Sequence, residues 1–222
     1  GYKTEDARDY GILSTEEIIS KSSNVGMVKL CANLNPNEIL QTYYSLGLGK
    51  YMNEIFIPTR EGYLPEFKDL SLREKVSLCY GYGLQTTLVQ LISAYSTIFS
   101  EGSYRPLKLI KNSSKFEEER ILNKEDAENI KSILYQSIKN GTGFRAKVKH
   151  HDVFGKTGTA RIFKNEKYND DLHNALFIGM TKLENKEYLI GLFVKNPRLN
   201  GDGGGDVAAP IFSEIIETIQ KF

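Results

Sequence analysis

The chain has 222 residues, of which 40% are hydrophobic and 26% are charged, the composition of an ordinary globular protein with a sizeable core. Its 29 lysines and arginines nearly balance 28 aspartates and glutamates, and the formal net charge of +1 gives no electrostatic reason to expect nucleic acid as a partner. No apolar run approaches the roughly 20 residues that a membrane-spanning helix needs, so we expect any membrane anchor or export signal to lie outside this chain.

The first 140 residues are predicted to be mostly helical. Residues 14–17 (Ser-Thr-Glu-Glu) and 71–74 (Ser-Leu-Arg-Glu) have the capping-box pattern that begins a helix, and Asn35-Pro36 supplies an N-cap followed by a first-turn proline. Further helices are predicted over residues 25–34, from about 87 to 101, and over 123–139. The helix near Thr87 has an apolar stripe that we expect to face the core: Leu88, Leu91, Ile92, Tyr95, Ile98 and Phe99.

The periodicity changes to that of strands after Gly141. Three stretches rich in β-branched and aromatic residues, 153–162, 174–180 and 188–194, predict strands with connections short enough for antiparallel neighbours. Pro210 begins a closing amphipathic helix, whose predicted core stripe is Ile211, Ile215, Ile219 and Phe222. Helices followed by strands and a final helix predict an α/β sandwich in which helices cover the sheet.

The two cysteines are expected to be structural. Cys31 and Cys79 lie in apolar surroundings within predicted helices, where a free cysteine is commonly a small buried core residue. A disulfide between them is the alternative, which the sequence alone does not decide.

Several polar stretches are predicted to have no chemical role. The charged run over 115–120 is expected to be a solvated loop, and the glycine-rich segment over 201–206 lacks an EF-hand pattern and is expected to be a mobile loop. Residues 150–152 (His-His-Asp) have no second cluster with metal-ligand spacing, and His173 is isolated. We therefore expect neither a metal nor a cofactor.

Residues 155–160, Gly-Lys-Thr-Gly-Thr-Ala, carry the strongest chemical signal. Gly-Lys-Thr suggests a phosphate-binding P-loop, but that pattern requires a glycine at the position of His150. The residues before the lysine also have a strand-like pattern. The nucleotide-binding interpretation therefore fails.

An exposed edge strand gives the same residues a different use. Its unpaired N–H and C=O groups allow an extended peptide to add as a further strand, and Gly158 lacks the side chain that would block a ligand backbone. The ammonium group of Lys156 and the hydroxyls of Thr157 and Thr159 can hold a carboxylate. A solvated edge strand that binds nothing is the alternative.

Ser22-Ser23-Asn24 also has two interpretations. Serine and asparagine are preferred N-cap residues, so capping of the next helix is the simpler one. Together with Lys156-Thr157-Gly158, however, Ser-x-Asn belongs to the motif set of penicillin-binding proteins and class A β-lactamases, whose third member is Ser-x-x-Lys.

The wider sequence resembles the class B penicillin-binding proteins, particularly the division-type (septal) branch. The resemblance covers nearly the whole chain in the family's order, through residues 21–30, 80–95, 141–146, 155–160 and 204–212. It departs from the family at one motif, because no serine here has a lysine three residues later and only 21 residues precede Ser22.

The resemblance implies an α/β (α+β) fold of the penicillin-binding-protein transpeptidase and β-lactamase type, with an antiparallel sheet flanked by helices and a helical subdomain. Residues 1–222 would form the C-terminal part of one transpeptidase domain, mostly helical over 1–140 and with the strands and closing helix over 141–222. The serine nucleophile and the strands that precede it in the family lie outside this chain, so we expect an incomplete sheet and no catalysis by this chain alone.

The implied reaction is acyl transfer: a serine attacks the D-Ala–D-Ala bond of a peptidoglycan stem peptide, and the acyl group passes to a neighbouring stem peptide. β-Lactams stall at the acyl stage. The resemblance assigns Ser22 to the proton network, Asn24 to a substrate carbonyl, and Lys156 to positive charge near the substrate carboxylate. It assigns the hydroxyls of Thr157 and Thr159 to that carboxylate and the Thr159 N–H to half of the oxyanion hole.

The implied setting is cell-wall synthesis at division, including septum formation and cell shape, on the periplasmic face of the inner membrane. An N-terminal helix outside this chain would anchor the protein there. The expected partners are stem peptides, β-lactam antibiotics, other division and cell-wall proteins, and the missing upstream segment. The alternatives are a penicillin-binding sensor, a non-catalytic scaffold, and a β-lactamase, which would need a deacylating water and base that nothing in the sequence identifies.

Overall fold

The computed structural model describes residues 4–51, 60–66, 68, 70–105, 107–110, 118–164, 167–198, 201 and 203–221. The chain divides into two compact units, one of Gly1–Ile19 with Ser23–Ile130 and the other of Ser20–Ser22 with Lys131–Phe222. The first unit is mainly helical and the second contains the main sheet, with the division at residue 130, ten residues earlier than the predicted change of structure.

Short helices are the main regular elements of the first unit. In chain order the first half of the chain forms α1 (Thr15–Ser20), α2 (Asn24–Cys31), α3 (Pro36–Ser45), α4 (Leu72–Ser77), the 3-10 turn Leu78–Tyr80, and α5 (Leu88–Phe99). Two predicted capping boxes are confirmed: in each, the serine Oγ accepts from a glutamate N–H and that glutamate carboxylate accepts from the serine N–H, for Ser14 with Glu17 and for Ser71 with Glu74.

A small antiparallel ribbon corrects the predicted loop over 115–120. β1 (Ser103–Tyr104) pairs with β2 (Glu119–Arg120), and an ion pair of 3.0 Å joins Arg105 to Glu118 at the end of the ribbon. The loop prediction is therefore wrong at Glu119 and Arg120, and residues 115–117 lie outside the described part of the chain. Charge alone favoured a loop, whereas strand pairing satisfies the backbone here.

The buried face of α5 differs from the predicted stripe, whose six residues are only partly buried. The buried residues are Gln90, Ser93, Ala94 and Thr97. The Gln90 amide donates to the carbonyl oxygens of Lys50 and Glu61, both at 2.7 Å, and its Oε1 accepts from the Thr87 N–H at 2.9 Å. Burying a polar side chain with these hydrogen-bond partners costs little free energy. α5 therefore packs through a face that an apolar pattern does not reveal.

Cys31 and Cys79 form a disulfide that joins the end of α2 to the 3-10 turn, with their Cα atoms 6.2 Å apart. The expectation of two free buried cysteines is therefore wrong, and Cys79 is only partly buried. The pairing depends on how two helices 48 residues apart pack in the first unit, which the sequence pattern does not contain.

The second unit is built on an antiparallel sheet with the order β3-β4-β5. The three predicted strands are confirmed, and each is longer than predicted: β3 (Val153–Lys164), β4 (Lys167–Leu183) and β5 (Lys186–Lys195). Among the described residues β3 pairs with β4 alone, so its other edge is unpaired, as the edge-strand interpretation requires.

Helices pack on this sheet around an apolar cluster. α6 (Lys124–Lys139) runs into the second unit, and a π-helical turn (Gly204–Ala208) leads to α7 (Ala209–Ile219). The buried cluster comprises Ile138, Ala146, Val148, Val153, Phe177, Leu183, Ala208, Ala209, Phe212 and Ile216.

The face of α7 that enters this cluster is not the predicted stripe. Ala209, Phe212 and Ile216 are buried, with the Phe212 ring centroid 5.2 Å from that of Phe177. The predicted residues Ile211, Ile215 and Ile219 are only partly buried, and Phe222 lies outside the described residues. The helix is apolar over a wide arc, and contact with the sheet decides which side of that arc is covered.

Candidate active site

The cap of α2 uses Ser23 and a residue that the sequence analysis did not single out. The Gly26 N–H donates to Ser23 Oγ at 2.8 Å, while Ser23 Oγ donates to Asp6 Oδ2 at 2.6 Å. Asp6 Oδ1 also accepts from the Val25 N–H at 3.1 Å. Capping by the Ser22-Ser23-Asn24 segment is therefore performed by its middle residue, which leaves the side chains of Ser22 and Asn24 for other uses.

Ser22 has a backbone conformation that non-glycine residues rarely adopt. Its φ angle is +57°, in the left-handed region, which costs about 1–2 kcal/mol for a residue with a Cβ. The side chain is exposed, and its Oγ accepts a hydrogen bond from the Lys156 ammonium group. The turn between α1 and α2 thus directs the Ser22 hydroxyl to the lysine of the Lys-Thr-Gly strand.

Lys156, on β3, is held by two acceptors. Besides Ser22 Oγ, its Nζ donates to the Thr157 carbonyl oxygen at 3.2 Å. Burial disfavours the charged form and lowers the pKa of Lys156 to about 8. The ammonium group therefore remains mostly protonated at neutral pH and can lose its proton just above it.

A third hydroxyl, that of Thr142, connects the two predicted motifs. Thr142 Oγ1 lies 2.6 Å from Thr157 Oγ1 and 3.4 Å from Ser22 Oγ. The Thr142 backbone N–H donates to the Ser20 carbonyl oxygen at 3.3 Å. The sequence pattern assigns no role to Thr142, which lies within the resemblance over 141–146, because 120 residues separate it from Ser22.

The glycine-rich segment packs against β3 beside Thr159. The Gly204 N–H donates to Thr159 Oγ1 at 3.0 Å, and a Cβ on Gly204 would clash with the carbonyl oxygens of Gly158 and Leu176. The expectation of a mobile loop is thus wrong at residues 204–206, which belong to the π-helical turn. Close backbone approach is the reason, and it requires glycine.

Gly158 itself has room for a side chain on the protein side. A Cβ there would meet only Leu176, at 3.4 Å and beyond, which is ordinary contact. Nothing within the described protein therefore requires glycine at this position. A ligand backbone lying along the unpaired edge of β3 would require a glycine there.

Three of the predicted site residues, Ser22, Lys156 and Thr157, meet in the second unit directly or through Thr142. Thr159 lies on the same strand, two residues beyond Thr157, and bonds to Gly204. Asn24 belongs to the first unit, where it is the first residue of α2, and its role stays a prediction. A cation, several hydroxyls and an open strand edge can hold an extended peptide that carries a carboxylate.

No three His, Cys, Asp or Glu side chains among the described residues are arranged to hold a metal ion. The Nδ1–H of His151 donates to the Lys182 carbonyl oxygen at 3.1 Å. None of the helices over the described residues has the length and apolar character needed to cross a membrane.

The chain is similar to a known protein family and to named relatives. The family model for the penicillin binding protein transpeptidase domain matches residues 1–217. The chain is 32% identical over 213 residues to a probable peptidoglycan D,D-transpeptidase PenA of Neisseria flavescens, covering 96% of this chain and 53% of that protein. It is 34% identical over 221 residues to the peptidoglycan D,D-transpeptidase FtsI of Buchnera aphidicola subsp. Schizaphis graminum, covering 99% and 39%. The chain thus spans about two-fifths to half of these curated relatives.

Solved structures have the same fold. The apo transpeptidase (TP) domain of Burkholderia pseudomallei penicillin-binding protein 3 has a TM-score of 0.88 and 29% identity, covering 97% of this chain and 66% of that one. Penicillin-binding protein 3 of Mycobacterium tuberculosis in complex with aztreonam has a TM-score of 0.86 and 27% identity, covering 98% and 54%. The predicted fold class, an antiparallel sheet with flanking helices, is confirmed.

Proposed function

Because this chain belongs to the penicillin-binding protein transpeptidase family, we propose that it forms the C-terminal part of a serine-type peptidoglycan D,D-transpeptidase that acts at cell division. The observation that supports the proposal is the hydrogen bond from Lys156 to Ser22 Oγ, which links one residue of each predicted motif. The nucleophile would come from a Ser-x-x-Lys segment, a pattern that the 222 residues do not contain.

Recognition of the substrate carboxylate is the role of Lys156, Thr157 and Thr159. The Lys156 ammonium group has three hydrogens, of which Ser22 Oγ and the Thr157 carbonyl oxygen use two, and the third is available for a carboxylate. Thr159 Oγ1 accepts from Gly204, so its own hydrogen can be donated to the same carboxylate. Gly158, between them, leaves space for the peptide backbone.

Acyl transfer also needs a proton path and an oxyanion hole. Ser22, exposed and hydrogen-bonded to Lys156, would lie in the proton network with the upstream serine and lysine. The Thr159 N–H would supply half of the oxyanion hole, and the Asn24 amide would donate to a carbonyl of the substrate. The acyl group would then pass to the amine of a second stem peptide.

The proposed location is the extracytoplasmic side of a bacterial cytoplasmic membrane, with an anchor outside this chain. The Cys31–Cys79 disulfide supports it, because structural disulfides persist in oxidising compartments. The proposed ligands are stem peptides and β-lactams, since the Mycobacterium tuberculosis relative has been solved with aztreonam and with ampicillin. Other division and cell-wall synthesis proteins are the proposed partners.

The names of the relatives favour this activity over the alternatives of sensor, scaffold and β-lactamase, because they are named D,D-transpeptidases.

Substitution of Lys156 tests the proposal. In the full-length protein, Lys156→Ala is expected to lower the rate of acylation by a labelled penicillin by about a hundredfold, the usual order for loss of one electrostatic contact to the reacting group. The rate is measured as covalent label formed against time at several penicillin concentrations.

Lys182→Ala provides the matched control. Lys182 is an exposed lysine on β4, four residues beyond Ile178, the register partner of Lys156, and its substitution is expected to leave the rate unchanged. Equal rates for Lys156→Ala and the wild type would contradict the proposed site. The 222-residue chain alone is expected to form no covalent adduct.

A further inference from the structure

The hydroxyls of Ser22, Thr142 and Thr157 form a row that begins at the Lys156 ammonium group. Lys156 donates to Ser22 Oγ, Thr142 Oγ1 is 3.4 Å from Ser22 Oγ, and Thr157 Oγ1 is 2.6 Å from Thr142 Oγ1. All four residues belong to the second unit. The three hydroxyls therefore run from Ser22, in the proposed proton network, to Thr157, at the proposed carboxylate contact.

The backbone around Thr142 is held firmly. Its N–H donates to the Ser20 carbonyl oxygen. Its own carbonyl oxygen lies so close to Gly205 that a Cβ on Gly205 would be only 2.6 Å from it. On the other side, the Gly143 N–H donates to the Ser137 carbonyl oxygen at 3.0 Å. The Thr142 hydroxyl is thus kept between Ser22 and Thr157 by the fold.

The direction of the hydrogens in this row is not determined by the protein backbone. Among the described residues, the hydroxyls of Ser22, Thr142 and Thr157 bond to each other and to Lys156 and have no backbone partner. Thr181 provides the contrast, because its buried hydroxyl donates to the Asp152 carbonyl oxygen at 2.8 Å and has one direction only. The row can therefore be oriented in either sense.

A carboxylate at Thr157 selects one sense. Each hydroxyl has one hydrogen, and a carboxylate accepts only, so Thr157 must donate to it and accept from Thr142. Thr142 must then accept from Ser22, which leaves Ser22 with its hydrogen used and its remaining lone pair free. Without the carboxylate, Thr157 can donate to Thr142, and the row can reverse.

We propose that Thr142 is a positioning residue whose hydroxyl links Thr157 to Ser22, so that a carboxylate bound at Thr157 turns Ser22 into a pure acceptor toward the proton-transfer groups. The inference rests on the proposed function, because that function assigns Ser22 and Thr157 their roles. The Ser22–Thr142 separation of 3.4 Å is longer than a strong O–H···O bond, so the coupling is expected to be modest.

The test compares Thr142→Val, which keeps the shape and removes the hydroxyl, with Thr142→Ser, which keeps the hydroxyl. In the full-length protein, each variant is acylated by a penicillin and by the methyl ester of the same penicillin. The wild type is expected to prefer the free acid. Thr142→Val is expected to lower the acid-to-ester ratio of acylation rates by about three- to tenfold, the effect of one hydrogen bond, while Thr142→Ser retains the ratio.

A purely structural role would lower both rates together and leave the ratio unchanged, and this result would overturn the inference. The Thr157→Val background gives a second check: there, Thr142→Val is expected to have no further effect on the ratio. An additional full effect in that background would also contradict the link.

A binding measurement separates this inference from the proposed function. The affinities of the variants for N-acetyl-D-alanyl-D-alanine and for its C-terminal amide require no acyl transfer. If Thr142→Val loses the preference for the acid and Thr142→Ser keeps it, the link is supported even when no acylation is found. Absence of acylation would contradict only the proposed activity. Equal affinities of the wild type for acid and amide would overturn the inference.

Discussion

Ser22 and Ser23 are chemically identical neighbours with different environments. Ser23 is 2% exposed and caps α2 together with Asp6, whereas Ser22 is exposed, has a left-handed backbone, and bonds to Lys156. The strained residue is the one in the candidate site, and the unstrained one stabilises the helix. An observed strained backbone of this kind is a reason to infer function at Ser22.

Lys156 is expected to titrate at a much lower pH than a lysine in water, because burial lowers its pKa to about 8. Lysine-selective NMR of the ε-ammonium groups should reveal one resonance with a midpoint near pH 8 that is missing from Lys156→Arg. Between pH 8 and about 10.4 the unfolded state binds more protons at this lysine, so its contribution to the free energy of unfolding rises with pH. A Lys156 resonance that titrates only above pH 10 would contradict this environment.

β3 and the π-helical turn form the elements on which the site depends. Gly204 is required by the approach of the turn to β3, while Gly158 faces open space apart from ordinary contact with Leu176. The two glycines lie on neighbouring backbones but serve different purposes. One permits the fold and the other permits a ligand.

This difference gives a matched pair of substitutions. Gly204→Ala is expected to lower the free energy of unfolding by about 2–3 kcal/mol, because its Cβ would clash with backbone atoms that do not move easily. Gly158→Ala is expected to change stability by less than about 1 kcal/mol but to reduce acylation, because the methyl group would lie in the path of the ligand backbone. Urea denaturation and penicillin labelling measure the two effects. Equal losses of stability would show that Gly158 also has a packing role.

At the scale of the whole molecule, the chain has two units and spans only part of its relatives. The apolar cluster supports the sheet of the second unit, whereas the first unit has short helices and a disulfide. Short helices with little regular core depend on cross-links and satisfied polar groups for stability.

The disulfide is therefore expected to contribute strongly to the stability of the first unit. For a loop of 48 residues the chain-entropy account gives about 4 kcal/mol, and engineered and native disulfides commonly give about 2–4 kcal/mol. Thermal unfolding should occur at a lower temperature in dithiothreitol, and the double variant Cys31→Ala, Cys79→Ala should be insensitive to the reductant. Two titratable thiols in the oxidised, denatured protein would contradict the pairing.

The sequence by itself determined the helix starts at Ser14, Ser71 and Asn35, the three strands, and the family, and these are confirmed. Capping and periodicity depend on residues within a few positions of each other, so a linear pattern contains them. The candidate site residues could likewise be predicted, because the family resemblance assigns chemical roles to short sequence motifs.

Only the tertiary structure decided which chemically similar groups meet. It assigned the cap to Ser23 and Asp6, paired Cys31 with Cys79, and brought Thr142 between Ser22 and Thr157. It also selected the buried faces of α5 and α7, where the apolar pattern was misleading. These outcomes depend on contacts between residues far apart in the chain. Such contacts are determined by close packing in the folded protein, which a linear sequence pattern does not contain.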